Sequence, residues 1–228
     1  MWISDFINLF FPNLCQACGK PLIKNEKTLC LSCFYKLPKT NFHLHKENPI
    51  SQIFWGRVDI HTATSYLFFN KGGHVQKLIH QLKYKGNTET GRYLGELMGA
   101  DLKKSSVFSG IDLIIPVPLH IKKIHKRGFN QSEIISQGIS EAMQIPVDTS
   151  SFNRLEHTET QTKKDRYTRW ENVEGKFGVI NSEKLEGKHI LLVDDVLTTG
   201  ATLESCAHSL LKVPQTRVSL ATLAYAQV

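Results

Sequence analysis

Apolar residues recur along most of the chain at two alternating periods. Thr62 to Phe69 is a β-branched and aromatic run that predicts a strand. Gly73 to Lys83 then carries Val75, Leu78, Ile79 and Leu82 at helical spacing, and Thr90 to Leu102 continues with Leu94, Leu97 and Met98. Ile111 to Pro118 is a short apolar strand closed by Pro116 and Pro118. Asn130, with Glu133 three residues on, marks a helix start ahead of Ile134, Ile135, Ile139 and Met143. Lys188 to Val193 is a continuous apolar strand of the kind buried on both faces; Thr199 to Leu211 is helical by pattern and Thr216 to Tyr225 strand-like. Such alternation predicts an α/β fold with a mostly parallel sheet and ligands at the carboxyl ends of its strands.

The first fifty residues read differently. Trp2, Ile3, Phe6, Ile7 and Phe10 fall at helical spacing and predict a short amphipathic helix. Asp5 and the absence of a basic leading segment argue against a signal peptide, and no run approaches the roughly 20 apolar residues of a membrane span. A cytoplasmic protein is expected. Four cysteines follow as Cys15-x2-Cys18 and Cys30-x2-Cys33, two knuckle-like pairs that can set four thiolates around one structural Zn2+. Two disulfides or a redox pair are the alternatives. Cys206 stands alone in an apolar helical stretch, as a small core residue would. Pro38 to Ser51, polar and without a period, reads as a linker or extended arm. The expected organisation is a helix, ribbon and linker over residues 1–49 and a ligand-binding domain over 50–228.

At 228 residues with 41% hydrophobic and 21% charged positions, the chain can bury a core without disulfide staples, which excludes a disordered or collagen-like protein. Its net charge of +7 points to anionic partners. That excess is concentrated: residues 71–92 hold five basic residues and one acid, and residues 113–132 hold four basic residues and none.

The sharpest motif is Leu191 to Thr202. A buried strand delivers Asp194 and Asp195, and the turn Thr198-Thr199-Gly200-Ala201-Thr202 opens a helix. Backbone N–H groups at such a helix start are a ready site for a phosphate dianion, and the threonines add hydroxyl donors. Gly200 is expected to let the backbone approach the phosphate closely. The two acids can accept hydrogen bonds from the vicinal hydroxyls of a sugar carrying that phosphate, or attract Mg2+ held by the ligand. A solvated Asp-Asp turn capping an ordinary helix is the plain alternative. Neither G-x-x-x-x-G-K-[ST] nor a strand-following G-x-G-x-x-G occurs.

Three supporting segments carry charge or polarity. Leu119 to Arg127 packs Lys122, Lys123, Lys126 and Arg127 together with His120 and His125, suited to a polyanion or simply to solvent. Arg154 to Trp170 is long, polar and almost without aliphatic anchors, as a lid would be. Lys83-Tyr84-Lys85 sets an aromatic ring between two lysines, a pattern that can meet single-stranded DNA by phosphate contact and base stacking, or that packs Tyr84 on the body and leaves the lysines in water.

Taken in order, the four cysteines, Lys83-Tyr84-Lys85-Gly86, Pro116-Val117-Pro118, Arg127 to Ser132, Gln161 to Phe177 and the acid-pair loop resemble the ComF family, bacterial proteins linked to the handling of transforming DNA. The acid-pair loop itself resembles the phosphoribosyl pyrophosphate (PRPP) loop of type I phosphoribosyltransferases. The resemblance implies a type I phosphoribosyltransferase-like fold behind a small N-terminal zinc ribbon. It implies that Asp194 and Asp195 hold the ribose hydroxyls, that Thr198, Thr199, Gly200, Ala201 and Thr202 hold the 5′-phosphate, and that Leu119, His120, Lys126 and Arg127 lie at the diphosphate with Mg2+. It also implies a closing loop carrying Gln161, Arg166 and Asn172 beside Arg154, with Arg166 joining Asp194 and Asp195 at the reacting centre. The function implied is PRPP-linked uptake or processing of single-stranded DNA, with Lys83, Tyr84 and Lys85 on the DNA and uptake-machinery proteins as partners. An active phosphoribosyltransferase of nucleotide salvage and a PRPP-sensing regulator are the alternatives. No segment that reads a particular base stands out in residues 52–90.

Overall fold

The computed structural model describes residues 12–155 and 176–226. Four parallel strands form its sheet: β1 (Thr62–Phe68), β2 (Leu113–Pro116), β5 (His189–Leu197) and β6 (Arg217–Tyr225), in the order β1-β6-β5-β2. A bridge from Ile114 to Val147 adds one more parallel rung beyond β2. The continuous apolar run Ile190 to Val193 is fully buried, as expected of a central strand covered on both faces. The strand continues to Leu197, so the two acids lie on it rather than after it.

The predicted helices form with bounds shifted by at most two residues. They are α3 (His74–Tyr84), α4 (Thr88–Lys103), α6 (Gln131–Met143) and α7 (Ala201–Leu210). In α3 the apolar positions Val75, Leu78, Ile79 and Leu82 are buried on one face. Helices α4 and α6 meet closely because Gly91, Gly95 and Gly99 stand four residues apart on α4 and Gly138 faces them from α6. A methyl group on Gly95 would collide with the Ile135 carbonyl, and one on Gly138 with the Arg92 carbonyl. Asn130 caps α6 as predicted, accepting from the Ser132 N–H at 3.1 Å, while its amide donates to the Val117 carbonyl at 3.0 Å. Cys206 is fully buried in α7.

One expectation changes. The stretch from Pro38 to Ser51 is not a linker but part of the body. Thr40 bonds the Ser65 carbonyl, the rings of Phe42 and Phe68 meet edge to face at 5.6 Å, and Asn48 caps the short α2 (Pro49–Gln52) from a buried position. Two of its polar residues, Thr40 and Asn48, satisfy β1 carbonyls, while Asn41, His45, Lys46 and Glu47 face solvent. The basic stretch after β2 folds in part as a short helix, α5 (Ile121–Arg127). A small antiparallel pair, β3 (Phe152–Arg154) with β4 (Phe177–Val179), flanks the sheet. Beyond Cys30, α1 (Leu31–Tyr35) completes the N-terminal module.

Candidate functional site

Asp194 and Asp195 come off the carboxyl-terminal half of β5, and the chain then turns through Thr198 and Thr199 into α7. Gly200 occupies the N-cap with φ of 81°, and no side chain caps the helix. The first-turn N–H groups therefore have no intrahelical acceptor. Thr198, Thr199, Ala201 and Thr202 are exposed around them, so hydroxyls and amides share one solvent-facing turn. Gly200 also has a packing reason to be glycine. Besides its left-handed backbone, a Cβ there would lie 3.0 Å from the Phe54 ring, so the missing side chain makes room for Phe54.

Three polar contacts hold the acids in place. The Asp194 carboxylate accepts from the Ser132 hydroxyl at 2.9 Å and from the Asp195 N–H at 2.8 Å. Asp195 receives the Lys83 ammonium at 2.8 Å, with both side chains largely buried (20% and 14% exposed). Burial and the adjacent Asp195 charge push the Asp194 carboxyl well above its ordinary value; its hydrogen bonds and Lys83 oppose that shift. Two carboxylates facing one ammonium leave net negative charge, which suits a further cation.

The expected diphosphate and DNA segments converge on the same neighbourhood. Arg127 donates to Gln131 Oε1 at 2.6 Å and lies over the Tyr84 ring at 5.5 Å, while His80 approaches that ring at 4.9 Å. Tyr84 is 61% exposed, and Lys85 and Lys126 are exposed. Lys83 is thus directed at the acid pair, with Lys85 left on the surface. Leu119 and His120 border a cavity of about 750 Å³ beside α5 and the β3–β4 pair, whose walls include Pro118, Ile121, Phe152 and Arg154. The His120 ring accepts from the Lys122 N–H at 3.1 Å, and Arg154 stacks over Phe177 at 5.3 Å. Gln161, Arg166 and Asn172, like residues 1–11 with their predicted helix, lie outside the described residues.

Sequence reasoning did not single out Ser132 or Arg57. Arg57 donates to the Thr199 carbonyl at 3.2 Å and pairs with Glu204, bracing the turn from outside. No local pattern marks Arg57; Ser132 follows the cap Asn130 by two residues, a position that a helix start places at the adjoining strand's end.

The four cysteines form the expected cluster. Their sulfurs lie within 4.8 Å of one another, and those of Cys18 and Cys30 are 3.8 Å apart. A tetrahedron with Zn–S bonds of about 2.3 Å has edges of about 3.8 Å, so the donor set fits zinc. No disulfide links them. Cys33 approaches His74 Nδ1 at 4.0 Å, so the cluster abuts the first residue of α3.

Among the described residues, no helix is long and apolar enough to cross a membrane. A family model described as phosphoribosyl transferase domain matches residues 118–227. The chain is 30% identical over 227 residues to the DNA utilization protein YhgH of Escherichia coli strain K12, covering 90% of this chain and 93% of that one. It is 31% identical over 140 residues to competence protein F of Haemophilus influenzae, covering 60% and 61%. Against competence protein ComFC of Bacillus subtilis the identity is 26% over 208 residues, covering 84% and 81%.

Proposed function

The chain belongs to the ComF family, with a type I phosphoribosyltransferase fold, and we propose that it is a cytoplasmic PRPP-binding protein that acts on single-stranded DNA during its uptake or processing. The observation that carries this reading is the uncapped helix start at Gly200 directly after two carboxylates on a central strand. A 5′-phosphate accepts from the amides and hydroxyls of Thr198 to Thr202, and the ribose hydroxyls donate to Asp194 and Asp195. Lys126 and Arg127, with Leu119 and His120 forming the adjoining wall, meet the diphosphate. Mg2+, when bound with the ligand, neutralises diphosphate charge. Arg166, outside the described residues, is the residue assigned with Asp194 and Asp195 to the reacting centre. Lys85 and Tyr84 meet DNA at the rim of the site, and Lys83 serves the acid pair beside them. In this reading residues 1–49 hold a zinc-stabilised module whose last segment, from Pro38, packs with the PRPP-binding domain of 50–228, and proteins of an uptake machine are partners.

Titration calorimetry tests the site: Mg2+-PRPP should bind the unaltered protein and not Asp194→Ala/Asp195→Ala. Unchanged affinity in that variant overturns the assignment. A second reading, transfer of the phosphoribosyl group to a base with pyrophosphate leaving, is favoured by the cavity beside Leu119, whose apolar walls at Ile121 and Phe152 suit a planar acceptor. Release of pyrophosphate from PRPP across a panel of bases and single-stranded DNA separates transfer from binding alone.

A further inference from the structure

At the opposite end of the sheet a second cavity, of about 1130 Å³, opens beside the first residues of β1 and β6. Ligands of α/β folds sit at the strands' carboxyl ends, so this cleft is not the PRPP site seen from another side. Its walls are the loop from Trp55 to His61, the turn after α7 and the start of β6.

Its charge is unusual. Lys46 and Arg217 both line it, and neither joins any ion pair found among the described residues. Both act on the same imidazole: burial first, then Lys46 and Arg217, hold His61 below its ordinary pKa. Glu47 and Asp59 share the rim without pairing with either cation. Four basic side chains (Lys46, Arg57, Lys212 and Arg217) line the cavity against two acids (Glu47 and Asp59), so its walls carry an excess of positive charge that favours an anion. Beside them Trp55 is 57% exposed, next to a glycine turn at Gly56 with φ of 69°. An exposed indole lining the same cleft as these cations matches a base joined to phosphates, the pairing used in single-strand recognition.

The loop that presents Trp55 also clamps the phosphate turn. Phe54, one residue earlier, fills the space beneath Gly200, and Arg57, two residues later, holds the Thr199 carbonyl and Glu204. One segment therefore joins the cleft to the PRPP turn: Trp55, Gly56 and Arg57 line the cleft, and Ile53, Phe54 and Arg57 meet the turn.

We propose that this cleft binds single-stranded DNA, with a base on Trp55 and neighbouring phosphates on Lys46 and Arg217, and that its occupancy is felt at the phosphate turn through Phe54 and Arg57. The choice of DNA rests on the functional reading above; the cleft's own chemistry requires a base linked to phosphates.

The test titrates the full chain with fluorescein-labelled oligothymidylate, following anisotropy and tryptophan emission. Binding should quench the emission, and Trp55→Phe should remove that quench. Lys46→Glu with Arg217→Glu should weaken binding by about tenfold or more and flatten the log–log salt slope by about 1.5 to 2. Mg2+-PRPP affinity without DNA should stay unchanged in that double variant, which shows that it is folded. Saturating oligonucleotide should shift the Mg2+-PRPP affinity of the unaltered protein, and Arg57→Ala should abolish that shift. Full DNA affinity in the double variant, with loss in Lys85→Glu, overturns the cleft and leaves the rim track standing. Equal displacement by thymidine monophosphate or oligouridylate overturns a DNA site. No oligonucleotide binding by the unaltered protein overturns both this proposal and the DNA part of the functional reading, while leaving PRPP binding to its own titration.

Discussion

The Lys83 ammonium lies 2.8 Å from the Asp195 carboxylate, so the helix that follows β1 reaches across to the end of β5 and supplies the acid pair with its own cation. Charge-assisted hydrogen bonds of partly buried groups are stronger than neutral ones. We predict that Lys83→Met weakens Mg2+-PRPP binding by about tenfold, the effect of one charge-assisted bond of about 1.5 kcal/mol. Lys83→Arg should recover part of it. Oligonucleotide affinity should fall less in Lys83→Met than in Lys85→Glu, because Lys85 is the exposed member of the pair. Calorimetry with each ligand in turn checks both; equal losses for DNA would place Lys83 on the nucleic acid instead.

Asp194 yields a prediction in pH. Burial first and the Asp195 charge second raise its carboxyl from 3.8 to about 7. The folded protein therefore binds more protons than the unfolded chain between those values, and stability falls as pH rises through that window. Asp194→Asn removes the penalty. It should raise Tm at pH 8 and flatten the loss of stability between pH 5 and 8, with each kcal/mol recovered worth about 2–4 °C at this chain length. The same variant should lose affinity for Mg2+-PRPP, and the unaltered protein should bind that ligand more tightly at pH 8 than at pH 6. Thermal scans at both pH values, paired with titrations, decide the matter; a variant less stable than the parent at pH 8 would contradict the account.

Gly200→Ala tests the loop's foundation. The residue combines φ of 81° with a Cβ position 3.0 Å from Phe54. The backbone strain alone should cost about 1–2 kcal/mol. Because Phe54 is fully buried and cannot retreat, the turn should shift as well, and phosphate-bearing ligands should bind more weakly. Phe54→Leu introduced into the Gly200→Ala background should relieve the steric part and leave the conformational part. Denaturant unfolding of the three variants separates the two.

Element types were legible because each strand and helix has a period that burial rewards: Ile190 to Val193 is apolar without interruption, and α3 repeats its apolar residues at three and four. The acid pair and its turn were legible for a related reason, since the chemistry is contiguous. What could not be read is convergence across distance. Ser132 bonds Asp194 from 62 residues away, and Arg57 reaches Thr199 across 142. Polar composition misled at Pro38 to Ser51, where Thr40 and Asn48 satisfy backbone carbonyls on β1 that would otherwise be buried without partners. The close α4–α6 crossing did have a local signal, three glycines four residues apart, but such spacing says only that something approaches, not what.

The cysteine cluster and the acid pair occupy the two ends of one helix. His74, the first residue of α3, approaches Cys33 at 4.0 Å, and Lys83, near its end, holds Asp195. Between them Val75, Leu78, Ile79 and Leu82 belong to the same hydrophobic cluster as Cys15, Ala17, Leu29 and Cys33. A small module of this kind has little core of its own, so a structural metal would supply much of its folding free energy. Removing the metal should therefore loosen the surface on which α3 rests, as well as the ribbon. We predict that chelation, or Cys33→Ser, lowers Tm by about 5 °C or more and weakens Mg2+-PRPP binding several-fold, although no cysteine touches that site. Elemental analysis should give about one zinc per chain before chelation and none after. Re-addition of zinc should restore both readouts in the chelated protein and neither in Cys33→Ser. If PRPP affinity survives while the ribbon melts, α3 stands without it and the two ends of the helix are energetically separate.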